Sequence, residues 1–521
     1  MNKIFKKIYK HILPQHLLLA AIVLVGIFIR FYQVFNGMPW EEDAGRDLLV
    51  AKHMVEQSAS WFNSPPPSGT SFLDNTPLYF WLIAILYSIG HTVSFVMTAF
   101  AFMGVVTIVL AYMLGKMLRN SFTGLLFASL VSFSYITVVP SRSILQPNLM
   151  GLLIVLTMIF YVRFHRSELF HDGLLLVICM FSGVALHLGY LPVLVFFSIA
   201  LVWEVIRAQK FHKSLLIFFI YYFLLFVWAL LYIKVSDFHL MVTGGAHAYD
   251  NALPQRMGLG LMSFLRYLFF GAETILKIIL GEMLLGLLIL KRIPGVIKSI
   301  PRPFIVSSIF WIISLLGVCA VYGDSVPYYY FDAFYVVALF GFTVLIDRII
   351  HPGVRMILAT FLLLGTSYYT YTLVFNDPNR DFISTRTVAE RILSDYRRLE
   401  DQADEPYDFW VIAAEGHYPG IFGMFSEQYW YILETITGKE LTKVVAGSQN
   451  SKPLVTVPKY VYVVCKIGEF NFTSNDYCLS EMASHYPHDF RKLRRIGTIA
   501  QIAAPHYNLY IHRFERPKFA D

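Results

Sequence analysis

Three consecutive carboxylates, Glu41, Glu42 and Asp43, followed by Arg46 and Asp47, form a stretch whose residue types and spacing suit proton transfer. They stand between two long apolar segments, where charge needs water, a partner or a task. Asp43 has two readings. As a structural residue it N-caps a helix expected over 44–57, with Glu42 and Arg46 pairing at i,i+4. As a functional residue it is a general base at a membrane surface, taking the proton from a hydroxyl that attacks an activated substrate. Glu42 is then the second catalytic candidate, and Arg46 a substrate-binding one.

Further candidates are spread along the chain. Arg30 ends the first apolar run in Gly26-Ile-Phe-Ile-Arg-Phe-Tyr32. It is either a functional intramembrane cation with a nearby carboxylate as partner, or a side chain reaching out to the headgroups. Asp74 is a possible further carboxylate of the site, or the cap of a helix starting at Pro77. Arg142 lies in the turn Pro140-Ser-Arg-Ser-Ile-Leu-Gln-Pro147, and Arg256 and Arg266 follow in a long loop over 236–272. All three fall on the face opposite the other basic clusters, which singles them out as binders of an anionic headgroup. Tyr329, in Tyr328-Tyr-Tyr330, could stack on a sugar ring or belong to an interfacial tyrosine belt.

The elements that must position these residues are mostly membrane spans. Of 521 residues 56% are hydrophobic and 15% charged, and the mean hydropathy is +0.57. That is too little polar surface for a soluble chain of this length, so the expected class is a mostly α, polytopic membrane protein. The net charge of +7 sits in short clusters between apolar runs, which fits cytoplasmic loops and argues against a nucleic-acid partner. Candidate spans are 16–35, 94–115, 121–138, 145–163, 172–188, 192–206, 213–235, 274–290, 303–321, 329–346 and 354–374. If Pro77–His91 also crossed, the clusters from Lys116/Arg119 to Arg348/Arg355 would all move outside; the expectation is therefore an interfacial or re-entrant segment. This leaves about 11 transmembrane helices. It places the N-terminus in the cytoplasm of a plasma (inner) membrane and the acidic loop outside. The outer loop over 36–92, with its interfacial helices, belongs to a transmembrane domain over 1–375.

After 376 the composition turns polar. A helix is expected at Thr385–Leu399 and strands at Phe409–Ala413, Tyr460–Val464 and Tyr507–His512, giving a small extracytoplasmic α/β domain over 376–521. A disulfide between Cys465 and Cys478 fits that compartment, whereas Cys179 and Cys319 lie in spans and read as packing residues. No nucleotide-binding glycine loop or metal-ligand spacing occurs in the sequence.

A first helix ending in arginine, an acidic outer loop, a proline–aromatic segment, many spans and an outer domain together resemble the C-type glycosyltransferases that use polyprenyl-phosphate sugars. Among these the chain is most similar to the branch of protein O-mannosyltransferases and the lipid A aminoarabinose transferase. Asp43-Ala-Gly-Arg-Asp-Leu-Leu-Val-Ala51 resembles the family's acidic motif leading into a helix, and Asn75-Thr-Pro-Leu-Tyr-Phe-Trp81 its Pro-Leu-aromatic segment. The topology matches over 1–375 and the motifs over 30–81. Ala44 departs from the family's common glutamate, and a lysine that some members carry before Pro-Leu is missing. The resemblance implies an enzyme that moves a sugar from a polyprenyl-phosphate donor to a hydroxyl of a lipid, glycan or protein acceptor, with inversion. Asp43 would be its base, with Glu42 a second carboxylate or a ligand of a possible divalent metal. Arg142 with Arg256 or Arg266 would hold the phosphate. A transporter or flippase of lipid-linked sugars, and a polymerase or ligase of lipid-linked glycans, are the competing readings.

Overall fold

The computed structural model describes residues 2–34, 40, 42–56, 76–207, 211–232, 253–269, 312–317, 319, 331–349, 352–376, 381–403, 406–418, 421–424, 426–443, 452–453, 458–468, 474–485, 493–503 and 507–516. By internal packing the chain forms two units. The first holds Met1–Tyr32, Thr70–Tyr79 and Met97–Asn376; the second holds Gln33–Gly69, Phe80–Val96 and Asp377–Asp521.

The first unit is a helical bundle. Its helices are α1 (Asn2–Phe31), most of α4 (Val93–Leu118), α5 (Ser121–Phe133), α6 (Tyr135–Val138), α7 (Met150–Ser167), α8 (Phe170–Leu186), α9 (Leu191–Arg207) and α10 (Phe211–Tyr232). Further on come α11 (Leu253–Phe269), α12 (Asp332–Ile349) and α13 (Pro352–Tyr371). Among the described residues three segments are long and apolar enough to cross a membrane: Pro14–Phe31, Val93–Leu118 and Gln146–Ser167. A fourth is a broken one, Ser121–Phe133 with Tyr135–Arg142, bent by 76°. Shorter apolar stretches cover Pro77–Gly90, Phe170–Leu186, Leu191–Trp203, Leu215–Val227 and Phe334–Val344, and the expected spans at 274–290 and 303–321 fall largely outside the described residues. Eleven crossings are thus not established; three segments, or four with the bent pair, have the length and composition of spans. Apolar side chains cover both faces of α1: Ile22 is 6% exposed, yet Leu24 is 65% and Phe28 57% exposed. Only a lipid-facing helix tolerates that. Where α4 crosses α5, a Cβ on Gly115 would lie 2.7 Å from the Gly124 Cα, so the two backbones meet through glycine as small-residue membrane interfaces do.

The ends of four of these helices share one charged knot. Asp347 at the end of α12 accepts from Arg119 (3.0 Å), from Arg355 (3.2 Å) and from Asn120 (3.1 Å). Asn120 also caps α5 through the Thr123 amide. Arg166 reaches the Met117 carbonyl at 2.8 Å. Three of the basic clusters counted by charge alone therefore sit together at one end of the bundle.

The second unit contains α2 (Glu42–Glu56), most of α3 (Pro77–Gly90), and an α/β fold built from α14 (Asp381–Arg397), α15 (Glu427–Thr437) and α16 (Asn475–His485) around a sheet. At 14 residues, α3 is about 21 Å long, short for a perpendicular crossing of a roughly 30 Å hydrocarbon core. The strands are β1 (Phe409–Tyr418), β2 (Ile421–Met424), the short pair β3 (Thr442–Lys443) and β4 (Lys452–Pro453), β5 (Tyr460–Gly468), β6 (Arg494–Ala503) and β7 (Tyr507–Glu515). The main sheet runs β2-β1-β5-β7-β6, with β1 and β5 parallel and the other pairs antiparallel. Alternation in β5 separates two cores. Val461, Val463 and Cys465 face α16, where Cys465 bonds to Cys478 with Cα atoms 6.1 Å apart. Tyr460 and Tyr462 lie on the other face with Phe409, whose ring stacks on Trp430 at 6.0 Å. There Asp395 takes the Tyr462 hydroxyl at 3.0 Å and Arg513 at 2.7 Å.

His512 gives this unit a pH dependence. Its side chain is fully buried, within 3.0 Å of the Thr498 hydroxyl and 3.3 Å of the Asn475 amide oxygen. Burial, then the Arg495 charge, pushes its pKa down from 6.5 to about 4, against a smaller pull from Asp476. The unfolded chain therefore takes up a proton first. Stability present above pH 6.5 should drain away as pH falls toward 4, by about 3 kcal/mol in all. Thermal midpoints of the full-length protein between pH 7 and 4 should show this slope, and His512→Gln should flatten it.

Candidate functional site

The acidic stretch folds as the sequence suggests, and its surroundings are new. Helix α2 begins at Glu42 rather than after Asp43, so Asp43 stands in its first turn instead of at the N-cap. Its carboxylate still suits the positive helix end. Arg46 Nη1 lies 2.5 Å from Asp43 Oδ1 at i,i+3, and its Nη2 holds Asp47 at 2.7 Å; the expected pairing with Glu42 at i,i+4 falls outside the described residues. Burial works against the Arg46 charge, yet Asp47 and Asp43 outweigh it and push the pKa up. Asp43 is 48% exposed, whereas Asp47 is 1% exposed. Among the described residues Asp43 Oδ2 has no partner, so one oxygen is anchored and the other is open. Glu42 is placed as the first residue of α2; its side chain, like Glu41, lies outside the described residues.

Helix α2 is built onto α15. Trp40 donates its indole N–H to the Gln428 carbonyl at 3.3 Å and packs against Phe382 and Tyr431. One turn on, a Cβ on Gly45 would fall 2.4 Å from the Gln428 Cα, an approach only glycine permits. Leu48 and Leu49 are fully buried. At the far end Glu434 of α15 takes Lys52 Nζ and His53 Nε2, each at 2.9 Å, on one oxygen. Its other oxygen accepts the amides of Leu441 and Thr442 at 3.0 Å and the Thr442 hydroxyl at 2.8 Å. Burial opposes ionisation of Glu434, but His53 and Lys52 prevail and hold the carboxyl down at about 2. Glu56 ends the helix by accepting the Tyr87 hydroxyl of α3 at 3.0 Å. Sequence reasoning missed Trp40, Lys52, His53 and Glu434 as parts of this site.

In the first unit Arg30 and Arg142 come together, and among the described residues neither meets a carboxylate. The sequence predicts a carboxylate or the headgroups as partner for Arg30 and a phosphate for Arg142; in the structure both donate to carbonyl oxygens. The break after Phe133 strands the last carbonyls of α5. Ser134 N–H serves Leu130, the Thr370 hydroxyl serves Phe133 at 2.7 Å, and Arg30 serves Val131 at 2.8 Å and Ser132 at 3.1 Å. Arg142 answers at the end of α1, donating to the Ile29 carbonyl at 2.5 Å. Each arginine caps the helix that the other's segment leaves open, cation at the negative helix end. Arg30 Nε and Asn148 Oδ1 remain without a partner beside a cavity of about 40 Å³ lined also by Thr107, Thr137 and Ser141. That is room for a water or two, far below the roughly 150 Å³ that accepts a benzene ring.

Arg256 and Arg266 both lie on α11, with side chains outside the described residues. Asp74 and Tyr329 lie outside them altogether. Among the described residues no three His, Cys, Asp or Glu side chains converge on a metal position.

No family model and no curated protein matches this sequence. Solved structures do match. ArnT from Cupriavidus metallidurans in the apo state superposes with a TM-score of 0.53 at 11% identity, over 95% of this chain and 97% of that one. ArnT from the same organism bound to undecaprenyl phosphate gives 0.51 at 12% identity with the same coverages. The chain shares the fold of ArnT. A looser likeness, with a TM-score of 0.48 at 14% identity, is to the Archaeoglobus fulgidus oligosaccharyltransferase, over 86% of this chain and 67% of that one. The resemblance read from the sequence stopped at 375; the superposition on ArnT takes in the C-terminal α/β fold as well.

Proposed function

We propose that this protein transfers a sugar from a polyprenyl-phosphate donor to an acceptor hydroxyl at the outer face of the plasma (inner) membrane, with its N-terminus in the cytoplasm. The observation that carries the reading is the Asp43 carboxylate, anchored through Oδ1 by Arg46 and open at Oδ2, on a fold shared with ArnT. One ArnT structure holds undecaprenyl phosphate, which supports a carrier lipid as the donor's anchor.

The chemistry asks little of the protein. The acceptor oxygen attacks the anomeric carbon as its proton passes to Asp43 Oδ2; the bond from that carbon to the phosphate oxygen breaks, and polyprenyl phosphate leaves with the electron pair. Direct displacement inverts the anomeric centre. A phosphate already leaves well, so positioning, proton acceptance and anion stabilisation suffice. Arg30 serves the helix-end carbonyls, while Arg142 engages carbonyls through Nη1; the phosphate role is proposed for Arg142 with Arg256 or Arg266 of the amphipathic α11, where a guanidinium fork fits. Asp74 and Tyr329 are proposed to line the headgroup site, and Glu42 to back up the base.

Donors of two kinds test the reading. Labelled single-sugar monophosphate carriers should lose their sugar, while oligosaccharide diphosphate carriers should not. The reverse result would make the protein a polymerase or ligase.

A further inference from the structure

The contact of α2 with α15 is costlier than a docking surface needs to be. A buried Lys–Glu pair is seldom more stable than apolar residues of the same size, but it tolerates no sliding. A shift of one residue along α2 would strand both Lys52 and Glu434, whose oxygens are fully committed to five donors. The second mount lies about 10 Å away along the axis, where Gly45 meets the Gln428 backbone and Trp40 bonds to its carbonyl. The two mounts share one face of the helix. Asp43 is turned roughly 180–200° from it, which explains its exposure.

We propose that Glu434 is a positioning residue: through Lys52 and His53 it fixes the rotation and height of α2, and so aims the Asp43 carboxylate. This rests on the reading of Asp43 as the base. The C-terminal domain thereby becomes part of the catalytic apparatus rather than an appendage. Glu434 stays ionised at every physiological pH because its carboxyl titrates at about 2, so the latch is permanent. Among the described residues the other groups around it are Glu56, Tyr87 and Tyr431, none of them a cation.

Two variants of the full-length protein in lipid nanodiscs test the proposal. Glu434→Gln keeps the shape but cannot hold the Lys52 charge, and Glu434→Asp keeps the charge but withdraws it by one methylene. Both should lower kcat for sugar transfer, by roughly 10–100-fold for Gln, with KM for the donor unchanged, since misplacement by about 1 Å costs that much. Amide hydrogen exchange should rise in α2 and stay unchanged in the spans. Wild-type kcat in Glu434→Asp, with α2 protected as before, would overturn the proposal while leaving Asp43→Asn to judge the base. Should the wild type move no sugar, the function reading falls, and the exchange data alone decide: unchanged protection of α2 in Glu434→Gln overturns the latch, and raised protection loss sustains it.

Discussion

Asp43→Asn should abolish measurable sugar transfer, a loss of roughly 10²–10⁴-fold, while the protein keeps its fold and thermal midpoint. Asparagine is nearly isosteric and its amide oxygen can still accept from Arg46, so the anchored side of the residue survives. What it loses is the ability to take a proton at the open position. The ion pair itself is half-exposed and worth at most about 1 kcal/mol, so stability should barely move. A purely structural Asp43 has the opposite signature: a slightly lowered midpoint and full transfer. Initial rates with a labelled donor, alongside melting in the same nanodiscs, separate the two.

The second large effect belongs to Arg30. Replacement by methionine removes the donors to Ser132 and, in part, to Val131, in a broken span shielded from bulk water. Val131 keeps the Thr137 hydroxyl at 2.7 Å, so the Ser132 carbonyl bears most of the cost. With the lost packing of a fully buried side chain, the spanning unit should lose about 2–4 kcal/mol. Lysine should not rescue it, because one ammonium cannot reproduce a fork that serves two carbonyls at once. Thermal melting in detergent checks this; an Arg30→Met variant that melts like wild type would return Arg30 to a side chain reaching for headgroups.

These two residues also show what a sequence can and cannot disclose. The acidic helix, three strands of the main sheet, most described helices and the Cys465–Cys478 bond were readable because local periodicity, apolar runs and compartment logic determine them. The break at Ser134 was not. No proline or glycine stands there, and the hydroxyls of Ser132, Ser134 and Thr137 hint at it only in retrospect. Once the break is known, Arg30 needs no carboxylate, since helix-end carbonyls supply its counter-dipole.

The docking of α2 was equally hidden. Lys52 and His53 look like an ordinary solvated face, and Glu434, in Tyr431-Ile-Leu-Glu-Thr-Ile436, looks like the polar side of an amphipathic helix. They pair across 382 and 381 residues of sequence, and such a contact leaves no periodic trace in either segment. Gly45 is the exception. A glycine inside an otherwise good helix costs about 1 kcal/mol, and that cost signals a close approach by another backbone.

The central claim is that this fold moves a sugar off a lipid carrier. The most direct measurement is to place the purified wild-type protein in nanodiscs with radiolabelled polyprenyl-phosphate sugars and a cell-envelope extract as the source of hydroxyl acceptors. The expected result is label leaving the carrier, with polyprenyl phosphate appearing one for one. No loss of label from any donor, together with passage of the intact lipid-linked sugar across the bilayer of proteoliposomes, would contradict it and make the protein a transporter.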